Sequence, residues 1–391
     1  MVKTVPMSGT SLRVLQIIPH LDGGGAEAAT VQVTQALQKA GGKSLVATQG
    51  GRLEQDVIAA GGEVFHLPVA SKNPLTMMSN ISRLKKLCQA MKVEMLHARS
   101  RAPAWSAFFA ARQMGLPFLT TYHSKVHDGP RAKVLYNSVM TRGDAVIANS
   151  QYTADRIAAI HRIDPVKIHV VPRGCDADEF DPNRIDRQAV SRLRDQWGAT
   201  DVDTIFLCPA RLTAWKGQDL VLQAMGEVVR RLPRACIKLV FAGDDQGRTR
   251  YRKGLERMMT EQGLSGQVIF AGHVTNMPQL YAAADFVVLP SRRPEPFGRT
   301  AIEAQASAVP VIAADAGGFR ETVKTSAEGM AHGWRVRPND SAALAQAIMT
   351  ACEISSEQRA AMGAAARDFV AEHFTQARMC AQTLQIYQSL A

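Results

Sequence analysis

Cysteine is scarce in this sequence, and no Cys-x-x-Cys pair occurs. The 391 residues include six cysteines, which are scattered along the chain. This spacing is not that of a disulfide framework or a zinc ribbon, so we expect buried free thiols in a reducing compartment.

Long apolar runs are missing as well. No stretch approaches the about 20 apolar residues that would span a bilayer. Residues 1–10 have no apolar signal-peptide region, and the first apolar run, Val14–Pro19, is more typical of a strand. We therefore expect a cytoplasmic protein, in which any membrane contact is peripheral, at the inner face of the cytoplasmic membrane.

Acidic residues are fewer than basic ones, and the imbalance is uneven. The net charge is +11, and residues 1–180 hold 21 Lys and Arg against 13 Asp and Glu. A basic first half favours an anionic partner such as lipid headgroups, a phosphorylated acceptor or nucleic acid. Solubility alone is the alternative explanation. A nucleic-acid binder has only this charge in its favour, because the chain lacks a recognition motif.

Short apolar runs alternate with helical patterns along the whole chain, which predicts parallel βαβ units. The pattern restarts after a segment rich in Pro, Gly and Asp at residues 172–187. We therefore predict an α/β protein with two Rossmann-like, doubly wound parallel-sheet domains that face each other across a cleft. The predicted boundaries are 1–185 for the first domain, 186–372 for the second, and 373–391 for a C-terminal helix that crosses back to the first. The predicted strands are 14–19, 44–48, 63–67, 95–98, 118–122, 145–148 and 168–171, then 204–210, 237–243, 268–271, 285–290, 309–313 and 333–336.

A glycine-rich turn, Gly23-Gly24-Gly25, lies between the first strand and a helix. Glycines let the backbone approach a ligand closely, and the helix N-terminus favours an anion. The spacing Gly23-x-Gly25-x-x-Ala28 also fits a dinucleotide-binding oxidoreductase. That fingerprint requires an acid after the second strand, where this chain has 48–51, Thr-Gln-Gly-Gly. A merely tight turn is the structural alternative.

Two further motifs follow strands of the second domain. Arg211 and Lys216 come after the strand at 204–210, where two cations can converge on one diphosphate. Glu295 and Glu303 belong to the segment 295–303, Glu-Pro-Phe-Gly-Arg-Thr-Ala-Ile-Glu. A helix beginning near residue 298 would direct its unpaired N–H groups at a phosphate, while the two carboxylates reach a sugar hydroxyl and a ribose diol. Ordinary surface charges are the alternative for all four residues.

These ordered motifs resemble the retaining GT-B glycosyltransferases of glycosyltransferase family 4. The resemblance rests on Glu295-Pro-Phe-Gly with Glu303, on Arg211 and Lys216 in R-L-x-x-x-K-G, and on 24–27, Gly-Gly-Ala-Glu. It extends to residues 314–321, in an A-x-A-G-G-x-x-E pattern, and so covers nearly the whole chain.

The resemblance implies a role for each matching residue. Arg211 and Lys216 would hold the donor diphosphate, and Glu295 would orient hydroxyls of the transferred sugar. His123 would approach the donor sugar, although a structural loop histidine is the alternative there. Glu303 would bind the ribose. The remaining donor-binding positions implied by the resemblance are Gly24, Gly25, Phe297, Gly298, Arg299 and Thr300.

No metal and no cofactor are expected. The pairs Asp176/Asp178 and Asp201/Asp203 have the Asp-x-Asp pattern of metal-dependent transferases with another fold. They fall in the linker and just before a strand, where acidic caps or turns are the preferred interpretation.

The acceptor side is assigned to the first domain. A basic helix at 81–91 and the segment 99–112, which mixes Arg with Trp105, Phe108 and Phe109, suggest contact with an anionic membrane. The helical spacing of these aromatics is equally typical of core. The predicted function is transfer of a hexose, with a UDP-sugar as the favoured donor, to a lipid-linked or polysaccharide acceptor in lipopolysaccharide-type envelope biosynthesis. Synthesis of a small soluble glycoside and an NAD-dependent oxidoreductase are the alternatives.

Overall fold

The computed structural model describes residues 12–123, 126, 129–328 and 331–391. Its contacts divide the chain into two compact units, which we call the first unit (residues 12–174 with 376–391) and the second unit (175–375). Each unit is built on one parallel sheet covered by helices, which confirms the predicted fold class.

The first unit contains, among its described residues, seven parallel strands in the order β3-β2-β1-β4-β5-β6-β7. The strands are β1 (Arg13–Ile17), β2 (Lys43–Thr48), β3 (Glu63–His66), β4 (Met95–Ala98), β5 (Phe118–Tyr122), β6 (Ala145–Ala148) and β7 (Ile168–Val170). The helices that connect them are α1 (Gly25–Lys39), α2 (Glu54–Ala59), α3 (Pro74–Met91), α4 (Arg101–Met114), α5 (Arg131–Asn137) and α6 (Gln151–His161).

The second unit repeats the design with six described strands in the order β10-β9-β8-β11-β12-β13. The strands are β8 (Thr204–Pro209), β9 (Ile237–Ala242), β10 (Val268–Gly272), β11 (Phe286–Leu289), β12 (Val311–Ala314) and β13 (Gly333–Val336). The helices are α7 (Arg187–Gln196), α8 (Gln218–Arg231), α9 (Thr249–Glu261), α10 (Met277–Ala282), α11 (Arg299–Ala306), α12 (Phe319–Thr322), α13 (Ser341–Glu353) and α14 (Ser356–His373).

Every strand predicted from the sequence is present within two residues of its expected limits. The central strands β8 and β11 are rich in Val, Ile, Leu and Phe because parallel strands are buried on both faces. Helix α3 differs from expectation, since it begins at Pro74 and not near residue 81. The side chain of Asn73 caps it by accepting hydrogen bonds from the N–H groups of Leu75 and Thr76, and proline is well suited to the first helical position. The exposed Leu75 and Met78 obscure the amphipathic period of its first turns.

The boundary between the units lies earlier than predicted. Residues 175–185 were expected in the first domain, but they pack with the second unit. The N–H of Cys175 donates to the carbonyl of Phe374, and the ring of Phe180 lies 5.9 Å from that of Tyr281, centroid to centroid. Burial raises the pKa of the Cys175 thiol, as expected for an inert core cysteine.

The last helix, α15 (Gln376–Leu390), belongs to the first unit and packs on α1. Its buried Met379, Ile386 and Tyr387 join the apolar cluster that covers one face of the first sheet. The Tyr387 hydroxyl lies 2.7 Å from Nδ1 of His97 in β4. Burial, together with the nearby Arg99 and Arg173, holds the pKa of His97 well below its usual range, so this contact joins neutral groups.

Two helix-interior glycines provide a matched test of packing. A Cβ at Gly363 in α14 would lie 2.1 Å from the Ala308 carbonyl oxygen, whereas a Cβ at Gly254 in α9 would meet nothing within 4 Å. We expect Gly363→Ala to lower the free energy of unfolding by about 1–3 kcal/mol through overpacking. Gly254→Ala should raise it by about 0.5–1 kcal/mol through helix propensity.

The midpoints of thermal and urea unfolding of both variants measure this difference. Equal stabilisation by the two substitutions would show that α14 does not approach residue 308 as described.

Candidate functional site

The order of strands reverses direction at one place in each sheet. The chain leaves β1 towards β2 and later returns to its other side at β4, and β8 is flanked by β9 and β11 in the same way. Ligands of open α/β sheets bind at the carboxyl ends of the strands at such a reversal. The predicted site residues lie after strands at this edge of their own sheet, on the loops or on the helices that begin there.

In the second unit, Lys216 and Glu295 are in direct contact. The Lys216 ammonium nitrogen lies 2.6 Å from Oε1 of Glu295, and both side chains are largely buried, at 18% and 11% exposure. Ser291 donates a second hydrogen bond of 2.9 Å to the same oxygen. The ammonium also lies 4.3 Å from the centre of the Trp215 ring, which adds a cation–π contact. The loops after β8 and β11 therefore present one charged, partly desolvated pair.

The loop that carries Glu295 is held by two glycines after β12. Glu295 forms an isolated parallel bridge with Gly317, and the Gly318 N–H donates a 2.8 Å hydrogen bond to the Glu295 carbonyl. A Cβ at Gly317 would lie 2.3 Å from that carbonyl oxygen, and a Cβ at Gly318 would lie 2.3 Å from the carbonyl oxygen of Phe297. The glycines of the A-x-A-G-G pattern thus permit a backbone contact that positions the Glu295 loop.

Helix α11 begins directly after Gly298, as predicted, and its first residues are Arg299 and Thr300. Nη2 of Arg299 lies 2.7 Å from Oε1 of Glu303, and the Tyr281 hydroxyl donates to Oε2 at 3.2 Å. Burial lowers the pKa of Arg299, but the adjacent Glu303 carboxylate outweighs it and the net pKa is raised. Burial and the same carboxylate hold the pKa of Tyr281 well above its usual range.

The other predicted residues of this unit have different surroundings. Arg211 is exposed at the end of β8, and its Nη1 donates to Oε1 of Gln246 at 3.1 Å. The Phe297 ring is buried in the core, with its centroid 5.6 Å from that of Phe374. Only the backbone of Phe297 is therefore available for the predicted role.

Three contributors to this region were not predicted. Ser291 and Tyr281 could not be predicted because nothing in the sequence marks a serine or a core tyrosine as a partner of a carboxylate. The Arg299–Glu303 ion pair has a signal in the sequence, since residues four apart face each other on a helix.

In the first unit, the predicted residues lie around the end of the sheet at β1, β4 and β5. Gly24 is the residue preceding α1, and Gly25 is its first residue. His123 follows β5 and lines a cavity of about 230 Å³. Both ring nitrogens of His123 are buried without a hydrogen-bond partner among the described residues.

The two Asp-x-Asp pairs form turns. Oδ1 of Asp176 accepts hydrogen bonds from the N–H groups of Asp178 and Glu179, and Oδ2 of Asp203 accepts from the N–H and hydroxyl of Thr200. Across the described residues, no group of three His, Cys, Asp or Glu side chains is arranged to hold a metal ion. Metal independence itself stays a prediction.

The helices were also compared with the length and apolarity that a membrane span requires. Among the described residues, none of the helices is both long enough and apolar enough to cross a bilayer.

Two family models match the chain in sequence order. The model described as Glycosyltransferase Family 4 matches residues 23–179, and the model described as Glycosyl transferases group 1 matches residues 190–369. Between them they span both units and every motif described above.

Curated relatives and a solved structure agree with these models. The chain is 26% identical to a D-inositol 3-phosphate glycosyltransferase of Xylanimonas cellulosilytica, over 79% of each chain. It is 31% identical to a GDP-mannose-dependent monoacylated alpha-(1-6)-phosphatidylinositol monomannoside mannosyltransferase of Corynebacterium glutamicum, over 66% of each. A crystal structure of a glycosyltransferase from Rickettsia africae ESF-5 superposes with a TM-score of 0.88 at 28% identity, covering 98% of this chain and 99% of that one. The chain therefore belongs to glycosyltransferase family 4 and is a glycosyltransferase of the GT-B fold.

Proposed function

We propose that the enzyme is a retaining hexosyltransferase that uses a nucleotide diphosphate sugar, with UDP-sugars as the favoured donors. The acceptor in this proposal is a lipid-linked or polysaccharide acceptor of lipopolysaccharide-type envelope biosynthesis. Synthesis of a small soluble glycoside is the second candidate, since the donor chemistry would be the same.

The contact between Lys216 and Glu295 carries the proposal. In the part of the chain that the structure describes, both hydrogen bonds to this carboxylate end on Oε1, which leaves Oε2 to accept from hydroxyls of a sugar. The Lys216 ammonium has three donors, so it can bind a phosphate oxygen while it stays paired with Glu295. One charged pair thus recognises the two groups that meet at the bond to be broken.

Helix α11 supplies the second half of the donor site. Its first turn offers backbone N–H groups without partners inside the helix, which suit the diphosphate. Glu303 is oriented by Arg299, which donates two hydrogen bonds to Oε1, and by Tyr281, which donates one to Oε2, so Oε2 keeps a lone pair for a ribose hydroxyl. Arg211 is exposed beside this loop, where its guanidinium can exchange Gln246 for a phosphate oxygen.

The chemistry requires orientation and charge stabilisation more than a protein nucleophile. Glu295 is ion-paired and hydrogen-bonded, which makes it a poor nucleophile for a covalent intermediate. In a front-side displacement, the bond from the anomeric carbon to the leaving phosphate breaks while the acceptor oxygen attacks the same face. The acceptor proton passes to the departing phosphate. Lys216 and the α11 amides stabilise the negative charge that develops on that phosphate.

Contact with an anionic membrane forms part of the proposal, and α3 and α4 support it. These helices pack on each other and carry exposed apolar side chains, with Leu75 78% and Met78 67% exposed on α3 and Phe109 44% exposed on α4. The exposed Arg83 and Lys86 of α3 add positive charge to the same unit. Exposed apolar groups flanked by cations are typical of surfaces that lie in a lipid interface.

Nucleotide binding tests the donor site. Each of a panel of UDP-, GDP- and ADP-sugars at about 100 times its dissociation constant should stabilise the protein by roughly 2.7 kcal/mol, visible as a shift in melting temperature. We expect one nucleotide family to give the shift and the double variant Lys216→Ala, Glu303→Ala to abolish it. The matched control is Lys253→Ala, Glu261→Ala on α9, which removes the same charges from exposed positions. An equal shift in both double variants would contradict the proposed site.

The stereochemical outcome tests the mechanism. With the donor that stabilises the protein most, and water in place of the acceptor, the first sugar released should have the donor's anomeric configuration. Early ¹H NMR spectra, recorded before mutarotation, measure this through the coupling of the anomeric proton. Lys216→Ala should slow release by about 10²- to 10³-fold. An inverted product that depends on Lys216 would rule out the retaining assignment.

Vesicle binding tests the membrane contact. The protein should sediment with phosphatidylglycerol vesicles and not with phosphatidylcholine vesicles. Arg83→Gln, Lys86→Gln should weaken that partition about tenfold or more, since each exposed cation near an anionic surface contributes about 1 kcal/mol. The control Arg252→Gln, Arg257→Gln removes equal charge from α9. If both variants lost vesicle binding equally, the binding would depend only on net charge, which would contradict a membrane surface on α3 and α4.

A further inference from the structure

A groove between α8 and α9 in the second unit is formed by residues that have no part in the proposed donor site. It has a volume of about 540 Å³, and residues of α9 and of the turn before it form most of its lining. Lys216, Glu295 and Glu303 are not among its described lining residues. The volume of this α8–α9 groove lies within the range of small-molecule sites.

Three arginines give the α8–α9 groove a positive charge. Arg248, Arg250 and Arg257 line it, and all three are exposed. Arg250 has no hydrogen bond or ion pair among the described residues. The ion pair of Arg257 with Glu261 is long, at 3.7 Å, and exposed to solvent, so it leaves the guanidinium available to a ligand.

Asp219 of α8 is the one carboxylate among the described lining residues, and its charge is already compensated. Its Oδ2 forms an ion pair with Arg292, and its Oδ1 accepts a 3.2 Å hydrogen bond from the Tyr251 hydroxyl. The positive charge of the groove therefore has little compensation from its own walls, and an anionic ligand would supply it.

Gly254 leaves open space on the groove side of α9. A glycine inside a helix destabilises it relative to alanine, so a packing reason is expected. Gly226 in α8 and Gly363 in α14 have one, since a Cβ would lie 2.2 Å from Oε1 of Gln262 and 2.1 Å from the Ala308 carbonyl oxygen, respectively. A Cβ at Gly254 would meet nothing within 4 Å. Packing does not explain this glycine, whereas room for a ligand does.

The spacing along α9 places the arginines on both sides of that space. Arg250 precedes Gly254 by four residues and Arg257 follows it by three, so the three positions share one face of the helix. Two guanidinium groups can therefore bind one anionic group above Gly254. Beside them, Leu255 and Met258 offer an apolar surface. Two or three guanidinium groups offer more donors than one carboxylate accepts, and the several oxygens of a phosphate match them better.

We propose that the α8–α9 groove binds a small organic phosphate. Arg250 and Arg257 hold its phosphate group over Gly254, and its apolar part lies on Leu255 and Met258. Such a ligand would bind whether or not a nucleotide occupies the donor site, because the groove has its own cations. The second unit would then carry two separate sites for phosphate groups.

Naphthyl phosphate is a suitable probe because it joins a phosphate group to an apolar ring system. Isothermal titration compares it with naphthol and with inorganic phosphate. Each titration is repeated in the variant Lys216→Ala, Glu303→Ala, which removes the proposed donor site. We expect naphthyl phosphate to bind about tenfold or more tightly than either of its halves, and equally well in the wild type and in this variant.

Two variants assign the binding to the groove. Arg250→Gln, Arg257→Gln should weaken binding of naphthyl phosphate about tenfold or more, through loss of charge-assisted hydrogen bonds. Gly254→Leu should block it by filling the open space, and a melting temperature no lower than that of the wild type would confirm that this variant is folded. The matched control Arg187→Gln, Arg192→Gln removes equal charge from exposed positions of α7 and should leave binding unchanged.

Every other result counts against the proposal. Naphthyl phosphate that does not bind, or binds no more tightly than naphthol or phosphate, would overturn it. So would binding that persists in Gly254→Leu or in the α9 arginine variant, or that falls equally in the α7 control. Binding that is lost in Lys216→Ala, Glu303→Ala would place the probe in the donor site. A failure of the nucleotide panel would refute the donor site and leave this one standing.

Discussion

Parallel strand pairing is the constraint on which the rest of the structure depends. Each parallel pair requires a crossover helix, so the chain must wind outward from one central strand, return, and wind outward on the other side. The reversal leaves the loops after β1 and β4, and after β8 and β11, pointing away from each other at the carboxyl edge. Most residues of the proposed donor site lie on these loops or on the helix that follows them, such as Lys216 after β8 and Glu295 and Glu303 after β11. The positions of these residues therefore follow from the strand order of the sheets.

The two units compensate their partly buried charges in different ways. In the second unit, the charges of Lys216 and Glu295 neutralise each other, and Ser291 satisfies the carboxylate further. Such a pair is stable without a ligand and can still rearrange around one. In the first unit, the hydrogen-bond partners of Arg99 among the described residues are the neutral Gln16 and Tyr387, and its Nη2 has none there, so its burial is incompletely compensated. The second unit therefore compensates its partly buried charges within the protein, whereas the first unit leaves part of the cost of burying Arg99 uncompensated.

The fold and the motif residues could be predicted because their signals are local. Apolar runs of strand length, glycine turns and the Glu295–Glu303 spacing are all visible within windows of about ten residues. The start of α3 was missed because its cap, Asn73, precedes two exposed apolar residues that break the helical pattern.

What could not be predicted depends on contacts between distant parts of the chain. The assignment of residues 175–185 to the second unit depends on Cys175 meeting Phe374, and the orientation of Glu303 depends on Tyr281. Neither contact has a recognisable signal in the sequence. The same holds for Arg99, whose burial results from Gln16 and from the return of α15 with Tyr387. Sequence motifs identify the charged groups, and tertiary packing decides which of them are satisfied.

The glycines at 317 and 318 have a consequence for how such an enzyme can evolve. Because neither position tolerates a side chain against the backbone of residues 295–297, the loop that bears Glu295 is coupled to the segment after β12 and cannot be remodelled alone. A lineage that acquires new specificity would have to change both segments together to alter this half of the protein.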